Sequence, residues 1–482
     1  MSRRTKIVGT IGPASWEEPV LERLIQEGLD VVRINFSHAE HDQTAEIIAR
    51  VRKLAAKHHR NVAILQDLQG PRIRTGKVAA PISLTAGQEI TLTTEEGYIA
   101  STSAKIGIDY PGLPLDVEVG STILIEDGLH KLQVISTTTT EVHCVVIEGG
   151  KLGNHKGINV PNVTLRVPTI TDKDKADLKF GLEQDVDYVA LSFVREAADL
   201  IHLRQLMKDY SGKTDSVDLP LIISKIEKHE AITNFDSILE ASDGIMVARG
   251  DLGVEMPTES IPVLQKQIIH KCNAAGKTVI TATQMLDSMI RNSRPTRAEA
   301  TDVANAILDG SDATMLSGET ANGLYPIEAV RVMSRIAETT EQEILFAEGY
   351  VRRMTYDTAS NISDTISQAV CQISRDLKVA AILATTTSGS TARMIARGRP
   401  QAPILVATSV ERTYRRMAMV WGATAFLTGE YVTTGEVTHR LEKQIIELGV
   451  AKPGDAIVVT GGIPVGVPGQ TNMLRIYTVG KD

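Results

Sequence analysis

Cysteine is scarce in this chain of 482 residues: Cys144, Cys272 and Cys371 stand far apart, and no two share C-x-x-C spacing. That excludes a disulfide framework and a structural zinc site, and it fits a reducing compartment such as the cytoplasm. A basic excess is also missing, because 51 Lys and Arg face 59 Asp and Glu, a formal net charge of -8. Neither a nucleic-acid backbone nor an anionic membrane is therefore expected as the main partner, since each needs a basic face. Long apolar runs are absent too. The basic start at Arg3, Arg4 and Lys6 leads into Val8-Gly9-Thr10-Ile11-Gly12-Pro13 without an apolar stretch, so no secretory leader is expected, and no later run could span a bilayer. Low-complexity and short-period repeats are not seen, and the length calls for two to four domains.

What is present is an alternation of eight short apolar runs with helical stretches. The runs are 6–12, 31–37, 62–68, 188–194, 221–227, 244–251, 278–284 and 313–319, and most end in a polar or charged residue. Parallel strands alternating with helices point to a (β/α)8 barrel, whose active site is built at the carboxyl ends of the strands. Ser15 with Glu18 three residues on predicts a capping box for the first helix, and a second helix is expected over 44–57. From Thr75 to about Pro168 the pattern changes to short alternating runs rich in Thr, Val and Ile, with an Asp127-Gly128 turn. This predicts an inserted all-β domain. After a helical tract over 326–346, alternating helices and strands from Ile362 predict a C-terminal open α/β sheet. The expected division is barrel 1–74, inserted lid 75–167, barrel 168–345 and C-terminal domain 346–482.

Several strand ends carry chemistry. In Ile222-Ile223-Ser224-Lys225-Ile226-Glu227, alternation places Lys225 and Glu227 on one side. Read as a continued strand, Met246-Val247-Ala248-Arg249-Gly250-Asp251 puts Arg249 and Asp251 in the same relation one strand along. Alone, a K-x-E pair is more often a buried salt bridge. With both strands, Glu227 and Asp251 suit one Mg²⁺, a hard ion that completes its shell with ligand oxygens. Lys225 can then act as a point charge, and Arg33 and Arg74 as forked donors to phosphate oxygens. Asn35, Ser37 and Asp67 make an oxygen-rich cluster fit for a monovalent cation, although Asn35 and Ser37 could equally cap a helix. In the last domain, Thr385-Thr386-Thr387-Ser388-Gly389-Ser390-Thr391 follows a strand and opens a helix, as a phosphate cradle or a plain cap would.

The segments Ile222 to Glu227, Met246 to Glu255, Thr283-Gln284-Met285, Arg294-Pro295-Thr296-Arg297-Ala298-Glu299 and Met315-Leu316-Ser317-Gly318-Glu319-Thr320 closely resemble those of the pyruvate kinases, and the likeness runs over 6–479. The resemblance implies a barrel A domain, a mobile B lid, a regulatory C domain and a homotetramer. It implies transfer of the phosphoryl group of phosphoenolpyruvate to MgADP, with Glu227 and Asp251 binding Mg²⁺ or Mn²⁺. Lys225 and Arg33 would stabilise the phosphoryl group, and Gly250, Asp251 and Thr283 would hold the substrate carboxylate. Thr283, Ser317 and Glu319 would neighbour the proton donor. Asn35, His38, Arg74 and Lys156 match nucleotide contacts. Thr386, Thr387, Ser388, Gly389 and Thr391 match a sugar-phosphate effector site, and the loop 461–466 would close over it.

Many relatives need K⁺, bound at the positions of Asn35, Ser37, Asp67 and the Leu68 carbonyl, and usually carry Glu where this chain has Arg72. Relatives independent of K⁺ usually have Lys there, with Leu and Gln at the places of Leu68 and Gln69. The Arg72 guanidinium is therefore expected to replace the ion, so that K⁺ is not required, although Thr75 resembles the K⁺-requiring group. The competing reading is a Mg²⁺-dependent 2-oxo acid lyase or aldolase, which would use the same carboxylates but no nucleotide lid.

Overall fold

The computed structural model describes residues 3–78, 80–95, 101–215, 217–345, 361–467 and 469–481. Eight parallel strands close into a barrel in simple sequence order. They are Lys6–Thr10, Val31–Asn35, Ala63–Asp67, Tyr188–Leu191, Leu221–Ile226, Gly244–Ala248, Thr278–Ala282 and Ala313–Leu316. Nearly every residue on them is buried, as expected where helices cover one face and the barrel interior the other. All eight expected runs are strands, but several stop earlier because the chain turns across the barrel mouth. Arg249–Glu255 is a helix, so Arg249 and Asp251 do not alternate on a strand as Lys225 and Glu227 were read to do. Glu319 likewise lies in the short helix Gly318–Ala321.

The first helix is Glu18–Gln26, with Glu17 rather than Ser15 at its N-cap; the Ser15 hydroxyl instead accepts from the Gly12 amide at 3.2 Å. The second is His41–Lys57, three residues longer than expected. Capping boxes do form at Thr171 with Asp174 and at Thr296 with Glu299, where a hydroxyl and a carboxylate satisfy each other's backbone amides. The helical tract after the eighth strand is Pro326–Thr340, and its expected end at Phe346, like the boundary at 346, meets residues 346–360, outside the described ones.

Between the third and fourth barrel strands lies a seven-stranded sheet with its own apolar core. It starts at Ile73–Arg74, slightly before Thr75, because Arg74 already pairs with Gly157. Asp127 and Gly128 turn between its strands Thr122–Ile125 and His130–Thr137, both at positive φ. The C-terminal domain is a five-stranded sheet of four parallel strands and one antiparallel edge, Met473–Thr478. Its third helix runs Glu411–Arg416 into a single tight turn, Met417–Met419.

The lower rim of the barrel repeats one device four times. Asp30, Asp187, Asp243 and Asp312 stand just before the even-numbered strands. Each accepts from the first amides of the preceding strand: Ile7, Ile64, Ile222 and Val279, at 2.8 to 2.9 Å. Each also meets a cation, and two of these come from the C-terminal domain: Arg415 on Asp187 at 2.7 Å and Arg399 on Asp312 at 2.9 Å. Arg52 reaches Asp187 from the barrel side at 2.9 Å. Replacing Asp187 by Ala leaves the Ile64 amide unpaired and takes one carboxylate from each guanidinium. Arg415 keeps Asp185 and Glu411, and Arg52 keeps the Val62 and Asp185 carbonyls, so a urea midpoint should fall by an equivalent of about 1–3 kcal/mol. A loss below about 1 kcal/mol, typical of exposed pairs, would contradict this anchoring.

Candidate active site

Barrel closure brings the ends of strands two, three, four and five together around one buried ion network. Arg33 donates from Nε to Asp67 at 2.7 Å and from Nη1 to the Thr10 hydroxyl at 2.8 Å. The Lys225 ammonium lies 3.3 Å from the other Asp67 oxygen and 2.8 Å from Glu227 Oε1, and donates to the Ser192 hydroxyl at 2.7 Å. Ser192 passes its own proton to the Leu68 carbonyl at 2.7 Å. Glu227 Oε2 accepts from the Phe193 amide at 2.7 Å, while Oε1 faces the ammonium without an aligned hydrogen bond.

Burial sets the electrostatics here. Burial alone would raise the Asp67 carboxyl, but Lys225 and Arg33 outweigh it and hold the group below its ordinary range. Burial would lower Lys225, yet Asp67 and Glu227 overcome it and keep the amine charged. Glu227 is pushed up by burial and by the Asp251 charge, which the lysine only partly offsets. Two cations thus face three carboxylates, Asp67, Glu227 and Asp251, and one negative charge is left over. A cation reaching Glu227 and Asp251 would restore balance, and these hard oxygens suit Mg²⁺ or Mn²⁺. Among the described residues no three His, Cys, Asp or Glu gather as a metal site, so the remaining ligands would come from bound substrate.

Across the mouth, Thr283 and Gln284 adopt φ of 74° and 55°. Arg249 holds this strained turn: it grips Asp302 with two 2.7 Å bonds and donates to the Ala282 and Thr283 carbonyls at 3.2 and 2.9 Å. Alternation on a continued strand predicts Arg249 and Asp251 on one side; the helix starting at Arg249 instead sends Arg249 to Asp302 and the Ala282 and Thr283 carbonyls. A Cβ on Gly250 would lie 2.6 Å from the Thr283 methyl, so only glycine lets the helix start beside that threonine. Glu319 is buried and accepts from the Leu286 and Ser317 amides at 3.0 and 2.7 Å, joining the loops after strands seven and eight. Burial raises its carboxyl above the ordinary range.

The monovalent-cation set is largely engaged with neighbours. Asn35 accepts from the Ser37 amide at 3.1 Å, a local turn rather than a helix cap, and the Leu68 carbonyl is taken by Ser192. Thr75 accepts from the Lys156 amide at 2.8 Å. Arg72 is exposed and, after burial, is the leading cause of the lowered pKa of His38, ahead of Arg74 and Lys173.

Between lid and barrel lies a cleft of about 390 Å³ that brings Arg72, Arg74, Lys156 and Asp251 together with Phe193 and Lys228; Asn35 and His38 do not line it. Lys156 pairs with Glu126 at 2.6 Å. Asn159 of the lid donates to Glu255 of the barrel at 3.2 Å, and Lys228 meets the same oxygen. Sequence reading missed Thr10, Ser192, the Phe193 amide and this Asn159–Glu255 tie. Ser192, a lone hydroxyl within the fourth apolar run and just past its strand, was the one visible signal.

A closed parallel barrel with a charged cluster at its carboxyl end, under a basic cleft closed by an inserted lid, defines an enzyme that handles anionic, phosphate-bearing substrates. The description "Pyruvate kinase, barrel domain" matches residues 2–330, and "Pyruvate kinase, alpha/beta domain" matches 364–477. A pyruvate kinase of Geobacillus stearothermophilus is 46% identical over 99% of this chain and 81% of its own length. One of Clostridium acetobutylicum is 44% identical over 99% of this chain and 100% of its own. A crystal structure of a pyruvate kinase from Cryptosporidium parvum superposes with a TM-score of 0.92 at 38% identity, covering 99% of this chain and 96% of that one. The chain belongs to the pyruvate kinase family. It is a phosphotransferase whose substrates are phosphoenolpyruvate and ADP, and the lyase reading is not favoured.

Because the folded Glu227 pKa is raised, its neutral form is favoured by folding. That stability is complete below the ordinary glutamate range near 4.5 and is lost as pH rises through the raised value. Glu227→Gln should therefore remove part of the loss of thermal stability expected above pH 4.5 in the metal-free protein. Parallel melting profiles of the two proteins would contradict the assignment.

Proposed function

We propose that phosphoenolpyruvate lies across the barrel mouth between Lys225 and Thr283, with ADP in the lid cleft along Arg74 and Lys156. The observation that carries this is the buried Lys225, kept charged between Asp67 and Glu227 directly beside the cleft that Asp251 lines. Held by Glu227 and Asp251, Mg²⁺ or Mn²⁺ would supply Lewis-acid stabilisation of oxygen charge. Lys225 and Arg33 oppose the negative charge of the phosphoryl group as it moves, and neither needs to form a covalent bond. The Gly250 and Asp251 amides, free in the first turn of their helix, and the Thr283 hydroxyl receive the substrate carboxylate.

Once the phosphoryl group has left, Lys225 balances the enolate oxygen while its carbon takes a proton on the Thr283 side. Ser317 and Glu319 serve there by holding the neighbouring loops, since both Glu319 oxygens accept backbone amides. Lid closure through Asn159 and Glu255 excludes water from the transfer. Asn35 and His38 remain nucleotide contacts on family resemblance alone.

Three further readings belong to this proposal. First, Arg72 stands in for K⁺, supported by its place at the cleft, where its charge lowers the His38 pKa, and by the prior engagement of Asn35 and the Leu68 carbonyl. Its exposed side chain is the observation on the other side, for a guanidinium that faces solvent and an ion site that still works. Second, Thr386, Thr387, Ser388, Gly389 and Thr391 receive a sugar phosphate. At present Thr386 accepts the Gly389 amide at 2.9 Å, and the loop encloses only about 20 Å³, so binding requires the segment bearing Gly462 and Gly466 to move outward. Third, the enzyme is a homotetramer on family resemblance alone, and its three buried free cysteines fit a reducing compartment such as the cytoplasm.

Pyruvate formation from phosphoenolpyruvate, ADP and Mg²⁺ should proceed with tetramethylammonium as the only monovalent cation and should not change on adding KCl. Turnover appearing only with KCl would return the ion to Asn35, Ser37, Asp67 and Leu68. No turnover under either condition would overturn the assignment of the site.

A further inference from the structure

Of the four aspartates on the lower barrel rim, Asp187 and Asp312 are met by arginines of the C-terminal domain. Asp30 is met from the barrel by Arg3 at 2.8 Å, and Asp243 likewise has no C-terminal partner among the described residues. Its partner is Arg204 of the barrel, at 3.0 Å, and the C-terminal arginine facing it, Arg393, makes no ion pair among the described residues. A cavity of about 560 Å³ opens there, with both Asp243 and Arg393 in its lining. Among the described residues, the only side-chain bond of Arg393 runs from Nη1 to the Ser388 carbonyl at 3.3 Å. Burial pulls its pKa down, an effect that Tyr188 and Asp243 only partly offset.

Two more cations line the cavity. The Lys277 ammonium donates to the carbonyls of Leu239, Glu240 and Ser242 at 2.6 to 2.7 Å, so neutral oxygens hold it, and the Asp243 and Glu240 carboxylates act on it only at longer range. Lys208 has no side-chain partner among the described residues. Four cations, Arg204, Lys208, Lys277 and Arg393, therefore stand against two carboxylates, Asp243 and Glu240, leaving two positive charges in surplus. Beside Arg204, Lys208 and Arg393, on the same two helices, Ile201, 64% exposed, and Met394 offer a surface for carbon.

We propose that this cavity between barrel and C-terminal domain binds a phosphomonoester, with its dianionic phosphate among Arg204, Lys208 and Arg393 and its carbon skeleton against Ile201 and Met394. A surplus of two positive charges matches a phosphate dianion better than a carboxylate, and forked guanidiniums suit its tetrahedral oxygens. The site is separate from the Thr386 to Thr391 loop, although Ser390 borders both cavities and Arg393 touches the loop through Ser388.

The test is calorimetric titration of the full chain with glycerol 3-phosphate and, separately, inorganic phosphate. Each is run on the parent protein and on Lys208→Glu, which lies on the barrel helix Ala197–Ser211 and does not line the loop cavity. An unchanged melting midpoint without ligand checks that the variant is folded. Removing one charge-assisted contact should weaken a class of glycerol 3-phosphate sites by roughly tenfold or more. The parent should also prefer the ester over inorganic phosphate. Identical isotherms for parent and variant would overturn the site, and equal affinity for the two ligands would overturn its assignment to a phosphomonoester.

Discussion

The site rests on one arrangement: a lysine ammonium removed from water and held between two buried carboxylates, Asp67 and Glu227. Taking such charges out of water costs several kcal/mol per ion, and only close pairing with further hydrogen bonds offsets it. The barrel supplies both. Strand alternation places Lys225 and Glu227 on one side, pairing in register sets Asn35 beside Asp67, and the fourth strand adds Ser192 beneath the ammonium. Each member of the cluster sets the charge state of its neighbours, Lys225 and Arg33 holding the Asp67 carboxyl low and Asp67 and Glu227 keeping the amine charged. Its leftover negative charge makes a cation at Glu227 and Asp251 electrostatically favourable, and with that cation the mouth becomes attractive to an anionic substrate.

The two ends of the barrel divide the work. At the lower rim, the four aspartates close the strand starts and, through Arg415 and Arg399, fasten the C-terminal domain. Conserving the bottom for docking frees the top for loops under strain, such as the positive-φ pair Thr283 and Gln284 braced by Arg249 and Asp302. The lid is carried between the third and fourth strands, where Asn159 can reach Glu255 at the rim of the site.

Much of this was legible in the residues. The eight apolar runs were read from period and punctuation, and all eight are strands, because a parallel sheet buried on both faces leaves near-continuous apolar runs. Lys225 beside Glu227 followed from alternation alone. Reading failed where a strand gives way to a turn. Arg249 looked like a second Lys225 because Ala248 gave no sign that pairing ends there, and a helix start rotates the next side chains by 100° rather than 180° per residue. Ser15 looked like a cap by spacing, yet its hydroxyl bonds Gly12 and the helix starts behind Glu17. The Arg249 to Asp302 clamp and the Asn159 to Glu255 tie join residues 53 and 96 positions apart, a distance that local pattern does not encode.

The most direct test is pyruvate formation by Lys225→Met at saturating phosphoenolpyruvate, ADP and Mg²⁺, with phosphoenolpyruvate binding measured alongside. If Lys225 carries the charge of the phosphoryl group in transfer, turnover should fall by roughly 10²–10³-fold or more while binding changes far less. Near-normal turnover, or equal losses in binding and turnover, would contradict that role.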